Sequence, residues 1–201
     1  MNQDIIGILL AAGQSARFGA NKLVQALPNN SLSMIEQSAQ TLLSVLPNSI
    51  AVIRRDDDAV KDKLESIGMA WIENPQADSG ISSSMRCGMN YLREQGHQVG
   101  GWLFALADMP YISSSVVEQV VAALSQAALI SAPYYREQRG HPVGFSRQLE
   151  SELLALEGDV GAKNIIQRYE EYVRRIPVLD DGVVYDVDRP QQLKALSSAH
   201  L

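Results

Sequence analysis

"ILLAAGQSARFGANKL", residues 8–23, sets aliphatic side chains directly against small residues, two glycines, one Arg and one Lys. An apolar run from Ile5 to Leu10, bounded by small residues, has the pattern of a strand buried on both faces of a parallel sheet. Arg17 and Lys22 are the only basic residues among the first 53. Their placement in a glycine-containing loop after that strand marks the loop as a ligand site to test. Neither common phosphate motif fits. A dinucleotide fingerprint needs G-x-G-x-x-G and a Walker loop ends in Gly-Lys-Ser/Thr; here five residues separate Gly13 from Gly19, and Lys22 has no hydroxyl neighbour. The loop still offers close backbone approach, N–H groups for anionic oxygens, and two cations. A tight turn with surface Arg and Lys is the plainer alternative.

Downstream, Met34, Ile35, Ala39, Leu42, Leu43 and Leu46 recur at helical spacing, which predicts a helix over 33–46 ended by Pro47. Strands are expected at 49–53, 69–72, 101–106 and 128–132, and helices at 57–67, 82–93 and 113–125. Such alternation predicts an α/β fold, a doubly wound, mostly parallel sheet in three α/β/α layers. After residue 132 the rhythm changes. "PYYREQRGHPVGFS" (133–146) reads as an antiparallel hairpin, followed by helices at 148–156 and 162–169, strands at 173–178 and 183–186, and a helix from Pro190. The expected organisation is a single domain over 1–201, with a sheet core over about 1–132 and a small substrate-covering extension over about 133–201.

A length of 201 residues suits one substantial core. The net charge of -6 argues against a nucleic-acid-binding surface, so an anionic ligand must meet local positive charge. A single cysteine, Cys87, has no disulfide partner in the chain and reads as a small buried hydrophobe in a reducing compartment. The apolar run over 5–12 is too short for a membrane span and has no basic flank. These observations make a cytoplasmic protein with no membrane partner the expectation.

Ligands of open α/β sheets lie outside the carboxyl ends of the strands, and three later loops there carry suggestive residues. In "ENPQADSGISSSMRCGM" (73–89), three serines follow Gly80 at a helix start. They fit a helix cap or a set of donors aimed at one ligand. "FALADMP" (104–110) ends a strand on Asp108, which fits a turn or a carboxylate for a divalent cation. "YDVDRPQQL" (185–193) sets Asp186 and Asp188 on one face of an extended segment, where Asp188 caps a helix or the two carboxylates complete a metal site with Asp108. His141 in "RGHPVGF" (139–145) fits a binding or structural role better than that of a base.

Taken in order, "LLAAGQSARFGANKL", "NPQADSGISSSMRCG", "LADMP", "RGHPVGF", "GDVGAKNII" and "YDVDRP" resemble the motifs of the MobA-like nucleotidyltransferases, nearest to the molybdenum cofactor cytidylyltransferases. The resemblance runs from about Ile6 to Leu193. It implies a Rossmann-like nucleotidyltransferase fold and transfer of CMP from CTP to the terminal phosphate of the molybdenum-loaded pterin cofactor, with Mg²⁺ and release of pyrophosphate. A molybdenum hydroxylase would receive the product. Carried onto this sequence, the resemblance implies nucleotide binding by Leu10, Ala11, Ala12, Gly13, Ser15, Arg17 and Lys22, with Arg17 and Lys22 on the phosphates. It gives Gly80, Ser82, Ser83 and Ser84 to the nucleotide as well. Asp108 would hold Mg²⁺, joined by Asp188, and Arg139, Gly140, His141, Pro142 and Asp186 would face the pterin. Members that use GTP carry Ala-Gly-Gly at Ala11, Ala12 and Gly13, so the resemblance implies cytidine; the guanylyltransferases have Asn at Asp186 and Asp188. A guanylyl- or sugar-nucleotidyltransferase of the same fold, or a non-catalytic carrier of the cofactor, are the alternatives.

The chemistry explains why no catalytic triad is legible. A terminal phosphate oxygen is already ionised at neutral pH, so attack on an α-phosphorus needs positioning and charge stabilisation and no protein nucleophile. Arg17, Lys22 and Asp108 are the candidate catalytic residues.

Overall fold

The computed structural model describes residues 4–13, 21–28 and 31–187. β1 (Asp4–Ala11), β2 (Ile50–Arg54), β3 (Ala70–Asn74) and β4 (Val99–Leu106) run parallel in the order β3-β2-β1-β4. The helices α1 (Met34–Val45), α2 (Asp58–Ser66) and α3 (Ile81–Glu94) connect them. Then come α4 (Ser114–Ser125), β5 (Ile130–Tyr135), β6 (Gln138–Arg139), β7 (Val143–Ser146), α5 (Glu150–Leu154), α6 (Lys163–Arg168) and β8 (Val173–Val178). Among the described residues no helix is long and apolar enough to cross a membrane.

β1 shows why the sheet is covered on both faces. Leu9 and Ala11 pack with Met34, Ile35 and Leu42 of α1, Leu64 of α2 and Val120 of α4. Ile6, Ile8 and Leu10 point the other way, onto Met85, Met89 and Leu92 of α3 and Leu153 and Ile165 of α5 and α6. Each fully buried aliphatic contributes about 1.5–3 kcal/mol, so a slip of one residue would forfeit both cores at once. Gly88 brings α3 close to β1, since a Cβ there would lie 2.9 Å from Ile8 Cγ2.

The sheet does not stop at residue 132. β7 lies between β4 and β5 and pairs antiparallel with both, Trp102 and Ile130 each standing opposite Phe145. Gly144 permits this, because a Cβ there would meet Leu124 Cδ1 at 2.5 Å and Ser131 Oγ at 2.7 Å. β6 forms the expected hairpin with β5, and β8 runs parallel to β5. Residues 133–146 therefore supply a central strand as well as a turn. The strand expected at 183–186 is instead a 3₁₀ turn, Asp181–Val184. Asp180 causes it by accepting from the N–H of Gly182 (2.9 Å) and of Ser113 (3.1 Å), while Val183 is buried in the α1/α4 core. The helix expected from Pro190 lies outside the described residues.

Candidate active site

The carboxyl ends of β1, β2 and β4 open onto a cavity of about 660 Å³. Such a volume lies within the range of small-molecule sites. Its lining includes Ala12, Gly13, Lys22 and Asp108 together with Arg54, Asp78, Gly80, Ser84 and Asp159. At Gly13 an added Cβ would meet nothing within 4 Å among the described residues.

Lys22 is aimed by a short 3₁₀ turn, Lys22–Val24, whose Leu23 is buried and whose cap Asn21 bonds both Leu23 N and Asp57 Oδ1 (2.7 Å). Its Nζ donates to Asp108 Oδ2 (2.8 Å) and to the Val187 carbonyl (3.1 Å). Asp108 lies two residues past the end of β4. The backbone around it is pinned by Ala107 N–H to Leu10 O, Ser38 Oγ–H to Ala107 O, and Val187 N–H to Asp108 O. The first loop, the end of β4 and the chain before Asp188 thus converge on one ion pair. Among the described residues no three His, Cys, Asp or Glu side chains group as metal ligands. A single carboxylate such as Asp108 fits Mg²⁺, which keeps several waters and takes its remaining oxygens from substrate phosphates; it does not fit zinc.

The serines divide. Ser82 donates to Glu157 O, and Ser83 Oγ lies 2.8 Å from the carbonyls of Gln76 and Gly80. Buried Asn74 donates to Ser83 Oγ (2.8 Å) and Ser84 Oγ (3.0 Å). Ser82 and Ser83 therefore hold the loop together and do not line the cavity, whereas Ser84 does. The amino end of α3, a natural anion site, is already filled: Ile81 N–H donates to Asp159 Oδ1 (3.2 Å) and Ser82 N–H to Gly158 O (3.3 Å). Gly80, at φ +92°, allows that approach, since a Cβ would stand 2.6 Å from Gly158 O.

"RGHP" packs beside Asp108. His141 N–H donates to Val183 O (2.8 Å), and Gly140 is pressed against the Val183 carbonyl. Burial, with the Arg139 guanidinium beside it, holds the imidazole down to about 4 against the opposing pull of Asp108. His141 is neutral at pH 7, and its sheltered Nδ1 has no hydrogen-bond partner among the described residues. Asp186 is exposed, and neither it nor the "RGHP" residues line this cavity. Ser15, Arg17 and Asp188 lie outside the described residues.

Arg54, Asp78 and Asp159 line the cavity without having been singled out by the sequence reading. The signal was present for Arg54: it is the first basic residue after Lys22 and directly follows the strand predicted over 49–53. Asp159 stands in a quoted motif but needed the fold to meet α3.

Strand order, layers and a site built on the carboxyl edge define a Rossmann-like α/β protein. The chain belongs to the MobA-like NTP transferase domain family, whose pattern matches residues 7–173. It is similar to the purine catabolism protein PucB of Bacillus subtilis, with 27% identity over 200 residues, covering 94% of this chain and 93% of PucB. Among solved structures it is similar to Rv0371c of Mycobacterium tuberculosis H37Rv, at a TM-score of 0.81 and 22% identity over 98% of both chains. That protein has also been solved in complex with manganese. The molybdopterin-guanine dinucleotide biosynthesis protein A of Archaeoglobus fulgidus is similar at a TM-score of 0.67 and 18% identity, covering 96% of this chain and 97% of its own.

Proposed function

We propose that this nucleotidyltransferase moves CMP from CTP to the terminal phosphate of the molybdenum-loaded pterin cofactor and releases pyrophosphate. The observation that carries the reading is the Lys22–Asp108 pair, set beside the small-residue backbone of Ala11, Ala12 and Gly13 in one cavity. An oxygen of the acceptor phosphate attacks the α-phosphorus; the bond from that phosphorus to the bridging oxygen breaks, and its electrons leave with pyrophosphate. Lys22 meets the charge that develops there, shared with Arg17, whose fork suits phosphate oxygens. A bound Mg²⁺, held by Asp108 and joined by Asp188, would neutralise phosphate charge during transfer. Arg139, Gly140, His141, Pro142 and Asp186 serve the acceptor, His141 as a neutral hydrogen-bonding group and not as a base. Ala12 underlies the preference for cytidine. A molybdenum hydroxylase is the proposed recipient of the product, and the similarity to the Archaeoglobus molybdopterin-guanine dinucleotide biosynthesis protein makes GTP the competing donor.

The test is pyrophosphate release with Mg²⁺, the molybdenum-pterin and CTP, GTP or ATP in turn. CTP is expected to react, and Asp108→Ala to lower turnover about 100- to 1000-fold with the fold retained and a loss in Tm no larger than that of breaking the same ion pair at Lys22. Silence with every triphosphate, or near-normal release by Asp108→Ala, overturns the reading.

A further inference from the structure

Lys22 and Asp108 both line the cavity, and the lysine Nζ lies 2.8 Å from Asp108 Oδ2. Among the described residues Lys22 is the cation that pairs with this carboxylate. Asp108 is also the carboxylate assigned above to Mg²⁺. One side chain thus has two claimants of like charge. While Lys22 holds its place, a divalent cation at Asp108 meets a carboxylate already neutralised and an ammonium that repels it. Magnesium gives up its waters reluctantly, so the pair as it stands is a poor site for it.

Lys22 is anchored at its backbone and free to swing at its tip. The 3₁₀ turn is fixed by buried Leu23 and by the Asn21 cap, whereas the ammonium is a point charge on a flexible stem. Besides Asp108, Lys22 holds the Val187 carbonyl at 3.1 Å and has a further interaction; replacing the lysine removes every one of them. A triphosphate brings several negative charges into the same cavity against the single one of Asp108, so its phosphates draw the ammonium away.

Resting on the nucleotide-transfer reading, we propose that Lys22 guards Asp108: it holds the carboxylate until a triphosphate draws the ammonium onto its phosphates, and the divalent cation reaches Asp108 together with the nucleotide. No covalent bond changes in this exchange; one charge-assisted hydrogen bond replaces another. By linkage, the triphosphate raises the affinity of Asp108 for the cation, and the cation raises that for the triphosphate by the same factor. One substitution then has two effects of opposite sign. Lys22→Met removes the guard, so the cation alone binds more tightly, and removes a phosphate partner, so the triphosphate alone binds more weakly. A lysine that only props the fold would weaken both.

The experiment measures two equilibria on the full chain: Mn²⁺ without nucleotide, by loss of its free-ion paramagnetic resonance signal, and CTP without metal, in EDTA. Mn²⁺ is the probe because it shares magnesium's preference for carboxylate and water oxygens. Lys22→Met is expected to bind Mn²⁺ about 10- to 100-fold more tightly than the unaltered protein and CTP about 10-fold more weakly. Lys22→Arg, which keeps a cation beside Asp108, is expected to stay within about threefold of the unaltered protein for Mn²⁺. The gain is expected to vanish in Lys22→Met/Asp108→Asn. If Lys22→Met does not fold, as judged by melting, Lys22→Gln takes its place with the same outcomes required. Unchanged or weakened Mn²⁺ binding in the lysine variant, a gain that survives Asp108→Asn, or CTP binding that is unweakened or needs Mn²⁺ overturns the guard and leaves nucleotide transfer standing. Binding of no triphosphate by the unaltered protein, with or without Mn²⁺, overturns both.

Discussion

Replacing Lys22 by Met tests the convergence of the first loop, β4 and the chain before Asp188. The lysine Nζ contacts Asp108 Oδ2 at 2.8 Å and the Val187 carbonyl at 3.1 Å, and the two side chains are 12% and 26% exposed. That burial decides the magnitude. The Arg168–Glu152 pair is shorter, 2.6 Å, but its arginine is 66% exposed, so Arg168→Met is expected to cost under about 0.5 kcal/mol. Lys22→Met removes a charged hydrogen bond and leaves Asp108 without this counter-ion, a loss of about 2–3 kcal/mol. For a chain of this size that lowers Tm by about 4–12 °C. Adding Asp108→Asn to the lysine variant is expected to recover about half of the loss, because no charge then remains unpaired. Urea and thermal unfolding of the two singles and the double close the cycle. In parallel, kcat/KM for pyrophosphate release by Lys22→Met is expected to fall about 100- to 1000-fold. A Tm unchanged within about 1 °C and a coupling near zero would refute the pair as a structural element.

Other outcomes follow from the same geometry. Asn74→Ala removes the donor to Ser83 and Ser84 and the acceptor for Gln76 N–H, and is expected to cost about 2–4 kcal/mol by denaturant unfolding and to raise KM for nucleotide; wild-type values for both would show the serine loop to be self-supporting. Gly80→Ala, at φ +92° and against Gly158 O, is expected to cost about 1–3 kcal/mol, and a neutral result would mean the 157–159 loop simply moves away. His141 concerns pH. Its imidazole titrates near 4 when folded against an ordinary 6.5, so between those values the unfolded chain binds more protons. Stability is then full above about pH 6.5 and falls by about 1–3 kcal/mol toward pH 4. Unfolding free energies across that window should fall less steeply in His141→Gln; identical slopes would remove His141 as the cause.

Much of this was legible because period and position carry it. The aliphatic alternation of Ile8, Leu9 and Leu10 between two cores follows from a strand's two-residue repeat, and Asp108 at the carboxyl edge follows from the end of a hydrophobic run. Serines were harder to read. Three hydroxyls at a helix start look alike in sequence, yet Ser82 and Ser83 turn inward because Asn74, Gln76 and Glu157 converge there, and those partners lie up to 75 positions away. The Val183–Val184 pair looks like strand, but Asp180 closes a tight turn before extended pairing can begin. Arg54 went unremarked because its significance depends on Asp78 and on a cavity, neither visible in a periodic pattern.

The placement of β7 bears on how the chain is made. A ribosome delivers residues in order, and the strand that joins β4 to β5 is not complete until residue 146 has emerged. Until then β4 carries an open hydrogen-bonding edge beside Trp102 and Phe104, the kind of edge that pairs with strangers. The half that bears the first loop therefore cannot mature ahead of the half that bears "RGHP". Donor and acceptor sides of the site are born together, and a nascent chain stalled before β7 is a client for chaperones.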